Sequence, residues 1–181
     1  MYRISINSLN KWRLGNDRKP LVLLGARQVG KTYLLKHFGN TAYKQLAYVN
    51  FEHPNAPKEL FETDFDAERI ITILNAYCNL TIQAEDTLIV FDEIQAVSRG
   101  ITALKYFYED FPNYHVIAAG SLLGVNIHPG TSFPVGKVDF MKLYPMSFYE
   151  FLLAMEEKGM AELLENKDLK NLNFFKQKLI N

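Results

Sequence analysis

The chain has 181 residues, 48% hydrophobic and 22% charged, the balance of one globular domain with a short appendage. Its 20 basic and 20 acidic side chains cancel, so the total charge gives no sign of a dense basic face and lends nucleic acid no support as a partner. The single cysteine, Cys78, excludes an internal disulfide, Asn7 to Arg13 interrupts any secretory apolar run, and no stretch reaches the ~20 apolar residues that span a bilayer; a cytoplasmic protein without a membrane partner is expected.

In chain order, residues 3–14 read as a short helix with Ile6, Leu9 and Trp12 on one face. Leu21–Leu24 reads as the first strand, between Pro20 and Gly25. Lys31–Phe38 continues as a helix, with a C-terminal cap expected near Gly39-Asn40. Leu46–Phe51 is a second strand. Asp66–Leu80 is a helix with Ile70, Ile73, Leu74 and Tyr77 at core spacing, and Cys78 in the same run is expected to be a buried core residue. Thr87–Phe91 and Tyr114–Ala119 are the third and fourth strands, separated by a helix bearing Ile101, Leu104, Phe107 and Tyr108, with Ser98 as its expected cap. Val138–Leu143 is the fifth strand. Ser147 and Glu150 form a capping-box pattern opening a helix expected to end at Gly159. Beyond it the chain is helical, with Leu163, Leu164, Leu169, Leu172, Phe174, Phe175 and Leu179.

Alternating apolar runs and amphipathic stretches indicate an α/β domain with a mostly parallel sheet. The first, third and fourth strands are continuously apolar and belong in the sheet centre. The second carries Gln45 and Asn50, and the fifth Asp139 and Lys142, which suits its edges. The expected division is a core over residues 1–158, including an N-terminal helical segment over 1–19. A helical tail over 159–181 leads towards a further region.

Gly25-Ala26-Arg27-Gln28-Val29-Gly30-Lys31-Thr32 is a P-loop pattern lying between a strand and a helix. Its glycines let backbone amides close on a phosphate without a Cβ in the way. The helix beginning near Gly30 adds its positive end. Amides of Gln28, Val29, Gly30 and Lys31 are expected to cradle ATP, the Lys31 ammonium to reach the β- and γ-phosphates, and the Thr32 hydroxyl to ligate Mg2+. Leu88-Ile89-Val90-Phe91-Asp92-Glu93 then places two carboxylates at the end of a strand. Asp92 is the candidate Mg2+ partner and Glu93 the candidate base towards the attacking water. An Asp-Glu pair is similar to the P-loop class with an additional strand between the P-loop strand and the acidic strand. The fourth strand, ending at Gly120-Ser121, would fill that place and set Ser121 near the γ-phosphate.

With GARQVGKT at Gly25–Thr32, LIVFDEIQ at Leu88–Gln95, AAGSLLG at Ala118–Gly124 and LYPMSFYEF at Leu143–Phe151, the sequence resembles the AAA_14 family of AAA-type ATPases, commonly followed by a DUF4143 region. The resemblance implies a P-loop NTPase of three α-β-α layers, with five strands in the AAA+-like order 5-1-4-3-2. It also implies contact between the segment before the first strand and adenine. The family usually has Gly-Arg before the last strand, where this chain has Gly136-Lys137, and lysine lacks the planar fork of arginine.

Other classes fit less well. Asn166-Lys167-Asp168-Leu169 has its aspartate one place early for guanine recognition, a Leu-Ser-Gly-Gly signature is missing, and Arg99 is the last arginine, against an arginine-rich kinase lid. Gly120-Ser121-Leu122-Leu123-Gly124 does not centre its serine as a nucleophile elbow does. His37, His53, His115 and His128 lack metal-ligand spacing. Trp12 reads as a helix-packing residue. Two functions remain: an ATPase driving or regulating an attached module, as a monomer or homo-oligomer, and an ATP-binding switch or scaffold with negligible turnover, tied to DNA or to a nuclease-like domain.

Overall fold

Five parallel strands carry the molecule, and the computed structural model describes residues 3–121 and 136–174. Leu122–Gly124 of the third motif, His128, and the tail beyond 174 with Phe175 and Leu179 lie outside the described residues. The elements run α1 (Ser5–Arg13), β1 (Leu21–Gly25), α2 (Lys31–Ala42), β2 (Gln45–Asn50), α3 (Ala67–Cys78) and β3 (Thr87–Asp92). They continue as α4 (Gly100–Asp110), β4 (His115–Ser121), β5 (Asp139–Leu143), α5 (Phe148–Ala154), α6 (Lys158–Glu165) and α7 (Leu169–Phe174). The sheet order is β2-β3-β4-β1-β5, the expected arrangement read from its other edge. The apolar strands β1, β3 and β4 are central, as their composition requires.

Period-two alternation divides each central strand between two cores. Val22, Ile89, Phe91, Val116 and Ala118 face one side, where Ile70 and Leu74 of α3 and Leu104 and Phe107 of α4 cover them. Leu21, Leu23, Leu88, Val90, Ile117 and Ala119 face the other, under Leu9 of α1 and Leu34, Leu35 and Phe38 of α2. Three α-β-α layers result. Leu152, Met160 and Ala161 build a smaller separate cluster that joins α5 and α6, with Leu172 of α7 against it. Among the described residues no helix is long and apolar enough to cross a membrane.

Five local expectations are corrected. α2 runs through Gly39-Asn40 to Ala42, and Gly39 is no cap: a Cβ there would stand 2.6 Å from Leu46 Cδ1, so this glycine serves the close approach of helix and strand. Tyr77 is exposed, and the buried face of α3 is Ala67, Ile70, Ile71 and Leu74; Cys78 is only half-buried, its thiol 3.9 Å from the Tyr48 carbonyl. Ser98 does not cap α4, since its hydroxyl donates to Glu62 Oε1 at 2.9 Å. The Ser147–Glu150 capping box is present, but α5 stops at Ala154, Glu156 turns with φ 63°, and Gly159 lies inside α6. Trp12 packs as expected, with its indole donating to the Lys19 carbonyl at 2.8 Å.

His115 opens β4 in a buried aromatic corner. Its Nδ1 shares a 2.7 Å hydrogen bond with the Tyr43 hydroxyl, and its ring meets Tyr43 and Trp12 edge-on. Burial, then the cations of Arg18 and Arg13, push its pKa down to about 4. Between that value and the unfolded value of about 6.5 the unfolded chain binds more protons, so stability falls as pH drops through this window. Urea unfolding at pH 7 and pH 5 should show the wild type losing more of its midpoint than His115→Phe, and equal losses would exclude the imidazole as the source.

Candidate functional site: a phosphate loop and an acidic strand end

Because the strands are parallel, the carboxyl ends of β1, β3 and β4 meet at one edge of the sheet. Gly25 closes β1 between Ser121 of β4 and Leu143 of β5. A Cβ there would lie 2.7 Å from the Leu143 carbonyl oxygen and 3.1 Å from Val29 Cγ2, so only glycine lets the chain leave the strand at this point. Gln28 and Gly30 both take positive φ, 65° and 92°. Such reversals bring successive peptide N–H groups towards one concave face, and the opening turn of α2 adds amides that have no intrahelical acceptor.

Lys31, the first residue of α2, is 6% exposed. Its ammonium donates to the carbonyls of Gly25 and Ala26, each at 2.9 Å. Among the described residues no carboxylate forms an ion pair with it. A buried cation held only by neutral oxygens is a strong attractor for an anion.

Thr32 and Asp92 come together across 60 residues of chain. The threonine hydroxyl donates to Asp92 Oδ2 at 2.7 Å. The same oxygen accepts the Tyr48 hydroxyl at 2.6 Å, while Oδ1 accepts the Glu93 amide at 3.1 Å. Asp92 is 1% exposed, so these charge-assisted bonds are what keeps its carboxylate in place. Burial, then the bond to Asp92, push the Tyr48 phenol pKa up, and its ring lies 4.2 Å from the Lys36 ammonium.

Glu93 turns with φ 53° immediately beyond β3, and its Oε2 accepts the Gln95 amide at 2.5 Å. It lines a cleft of about 520 Å³ together with Arg27, Gln28, Gly30, Lys31 and Thr32. Glu52, just past β2, completes the wall. Ser121 is buried at the same edge, beside Gly25. Lys137 stands before the start of β5, at the other end of the strands, and pairs with Glu109 at 3.1 Å.

Arg3 is the principal residue that sequence reasoning missed. It is 4% exposed and lies against the loop, its Nη1 donating to the Val29 carbonyl at 2.9 Å. Its Nη2 donates to the Tyr144 carbonyl at 2.7 Å and its Nε to Glu150 Oε1 at 3.1 Å. Burial raises the Glu150 pKa, but the amides of Ser147 and Ile4 and the Arg3 guanidinium outweigh it and hold the carboxyl below its usual range. Tyr48 and Gln95 were missed as well. In retrospect Leu46 and Tyr48 share the face of β2 opposite Ala47 and Val49, which places Tyr48 on the α2 side with Thr32. Gly25→Ala should lower stability by about 1–3 kcal/mol through the contact with Leu143, read from the urea midpoint. An unchanged midpoint would mean that β1 and β5 can separate without cost.

Comparison with known proteins bears on the family and the fold. The AAA domain model named AAA_14 matches residues 17–152. No curated protein matches the sequence. Among solved structures, the chain is similar to one in the DNA-bound Drosophila ORC structure, with TM-score 0.55 and 16% identity over 96% of this chain and 50% of that one. It is also similar to AMPPCP-bound DnaA from Aquifex aeolicus, with TM-score 0.51 and 16% identity over 90% of this chain and 51% of that one. The chain thus spans about half the length of each of these two chains. It shares their fold, and it belongs to the AAA_14 family of AAA domains.

Proposed function

We propose that this domain binds ATP with Mg2+ at Gly25–Thr32 and hydrolyses it, and that turnover drives or regulates an attached module in the cytoplasm. The observation that carries the reading is the buried Lys31 ammonium, held by loop carbonyls and not by a carboxylate, beside the Thr32–Asp92 pair. In this reading the ammonium exchanges its carbonyl partners for β- and γ-phosphate oxygens. Amides of Gln28, Val29, Gly30 and Lys31 take the remaining phosphate lone pairs.

The donor chemistry at Thr32 and Asp92 fits Mg2+: one hydroxyl and one carboxylate, both hard oxygens, already hydrogen-bonded at 2.7 Å. When bound, the ion would neutralise charge on the polyphosphate. Gln95 holds Glu93 Oε2, which leaves Oε1 to accept a proton from water. The water oxygen forms its bond to the γ-phosphorus as the bond to the β–γ bridging oxygen breaks, releasing ADP and phosphate. Ser121, next to Gly25, is proposed to donate to the terminal phosphate. Lys137 has no part in this site, since it lies at the opposite end of the strands.

A second reading, an ATP-binding switch with negligible turnover, is favoured by the short Gln95–Glu93 bond, which restrains the proposed base. Mutagenesis separates the two. Lys31→Ala should abolish Mg·ATP binding in calorimetry. Glu93→Gln should retain binding and lower phosphate release by about 10²–10⁴-fold. A wild type that binds ATP and releases no more phosphate than Glu93→Gln supports the switch. Specific activity that rises with protein concentration would argue for a site shared between copies, and strict proportionality would argue against one.

A further inference from the structure

The phosphate loop is held from a side other than the cleft. Arg3 is buried and is not part of the cleft wall, yet its Nη1 grips the Val29 carbonyl. In a trans peptide the carbonyl and the next N–H point in opposite directions. The bond that draws the Val29 carbonyl towards Arg3 therefore aims the Gly30 N–H away from it. Gly30 lines the cleft, and its φ of 92° is the turn that makes this peptide orientation reachable. A cationic donor on the carbonyl also polarises the amide and strengthens its N–H as a donor.

Arg3 does not stand alone. Glu150 Oε1 accepts both the Arg3 Nε and the Ile4 amide, at 3.1 and 2.8 Å, while Oε2 accepts the Ser147 amide at 2.8 Å. The third arginine donor reaches the Tyr144 carbonyl, in the connection between β5 and α5. One guanidinium thus joins the phosphate loop, the β5–α5 connection and the cap of α5. We propose that Arg3 is a positioning residue for phosphate binding, setting the Val29–Gly30 peptide, and that Glu150 keeps Arg3 in that geometry. The inference rests on the nucleotide reading and adds to it that the setting of α5 and the phosphate affinity are linked, each biasing the other.

Calorimetric titration of Mg·ATP and of pyrophosphate into the full chain tests it, alongside urea midpoints without either probe. Arg3→Gln should weaken both probes by the same factor, roughly tenfold, because the loss lies at the phosphates. Glu150→Gln removes the charge facing Arg3 and leaves one carboxamide oxygen for the two amides of Ser147 and Ile4, which bond to different oxygens of Glu150, so it should lower the urea midpoint and weaken both probes by roughly threefold. Should Arg3→Gln fail to fold because Glu150 is left buried without its cation, Arg3→Lys carries the test, since it keeps the charge and loses the planar fork. Its affinity should fall between those of Arg3→Gln and wild type. Variants with lowered midpoints and wild-type dissociation constants would make the pair a structural clasp and overturn the inference alone. A folded wild type that binds neither probe would overturn the nucleotide reading, and this inference with it.

Discussion

A buried ammonium without a carboxylate partner among the described residues is the constraint around which this domain is arranged. Taking a charge out of water is costly unless strong partners replace the lost hydration. The carbonyls of Gly25 and Ala26 supply two such partners, and they can do so because the chain turns at Gly25 where no Cβ would fit. Two neutral oxygens leave the positive charge unneutralised. Turns of this kind bring successive peptide N–H groups together beside the N-terminus of α2, so the loop as a whole favours an anion.

Two sets of hydrogen bonds keep this loop in register with the sheet. On the α2 side, Asp92 collects the hydroxyls of Thr32 and Tyr48 on a single oxygen, fastening the first turn of α2 to β3 and β2. Elsewhere, the Arg3–Glu150 pair ties the Val29 carbonyl to the cap of α5. A buried pair of this kind is weak evidence for net stability, since desolvation offsets much of its attraction. Its geometric consequence is firmer. Three planar donors on three separated segments restrict where the loop can move relative to the helix that follows β5.

Much of this was legible in the sequence, and what was not has a common cause. Which strands are central and which lie at the edges could be read from the runs that are apolar throughout and those that carry Gln45, Asn50, Asp139 or Lys142, because burial on both faces is a local property of composition; the full order was implied only by the resemblance to the AAA_14 family. The loop and the acidic strand end were visible as motifs, since a backbone that must curl and a strand that must end in acid leave short-range marks. Gly39 was misjudged because the reason for that glycine is Leu46, on the next strand. Ser98 looked like a cap, yet its hydroxyl serves Glu62, 36 residues away. Tyr48 reaches Asp92 over 44 residues and Arg3 reaches Glu150 over 147, separations at which no spacing rule operates. Glu150 was recognised as a capping residue, and its second carboxylate oxygen had a further task that only the fold reveals.

The central claim is that the loop over Gly25–Thr32 is shaped for a polyphosphate. Titrating Mg·ATP into the folded wild-type chain measures this most directly. The account predicts a saturable heat with one nucleotide per chain, competed by ADP and by pyrophosphate. A folded chain that gives no heat at millimolar Mg·ATP, and whose unfolding midpoint the nucleotide leaves unmoved, would contradict it.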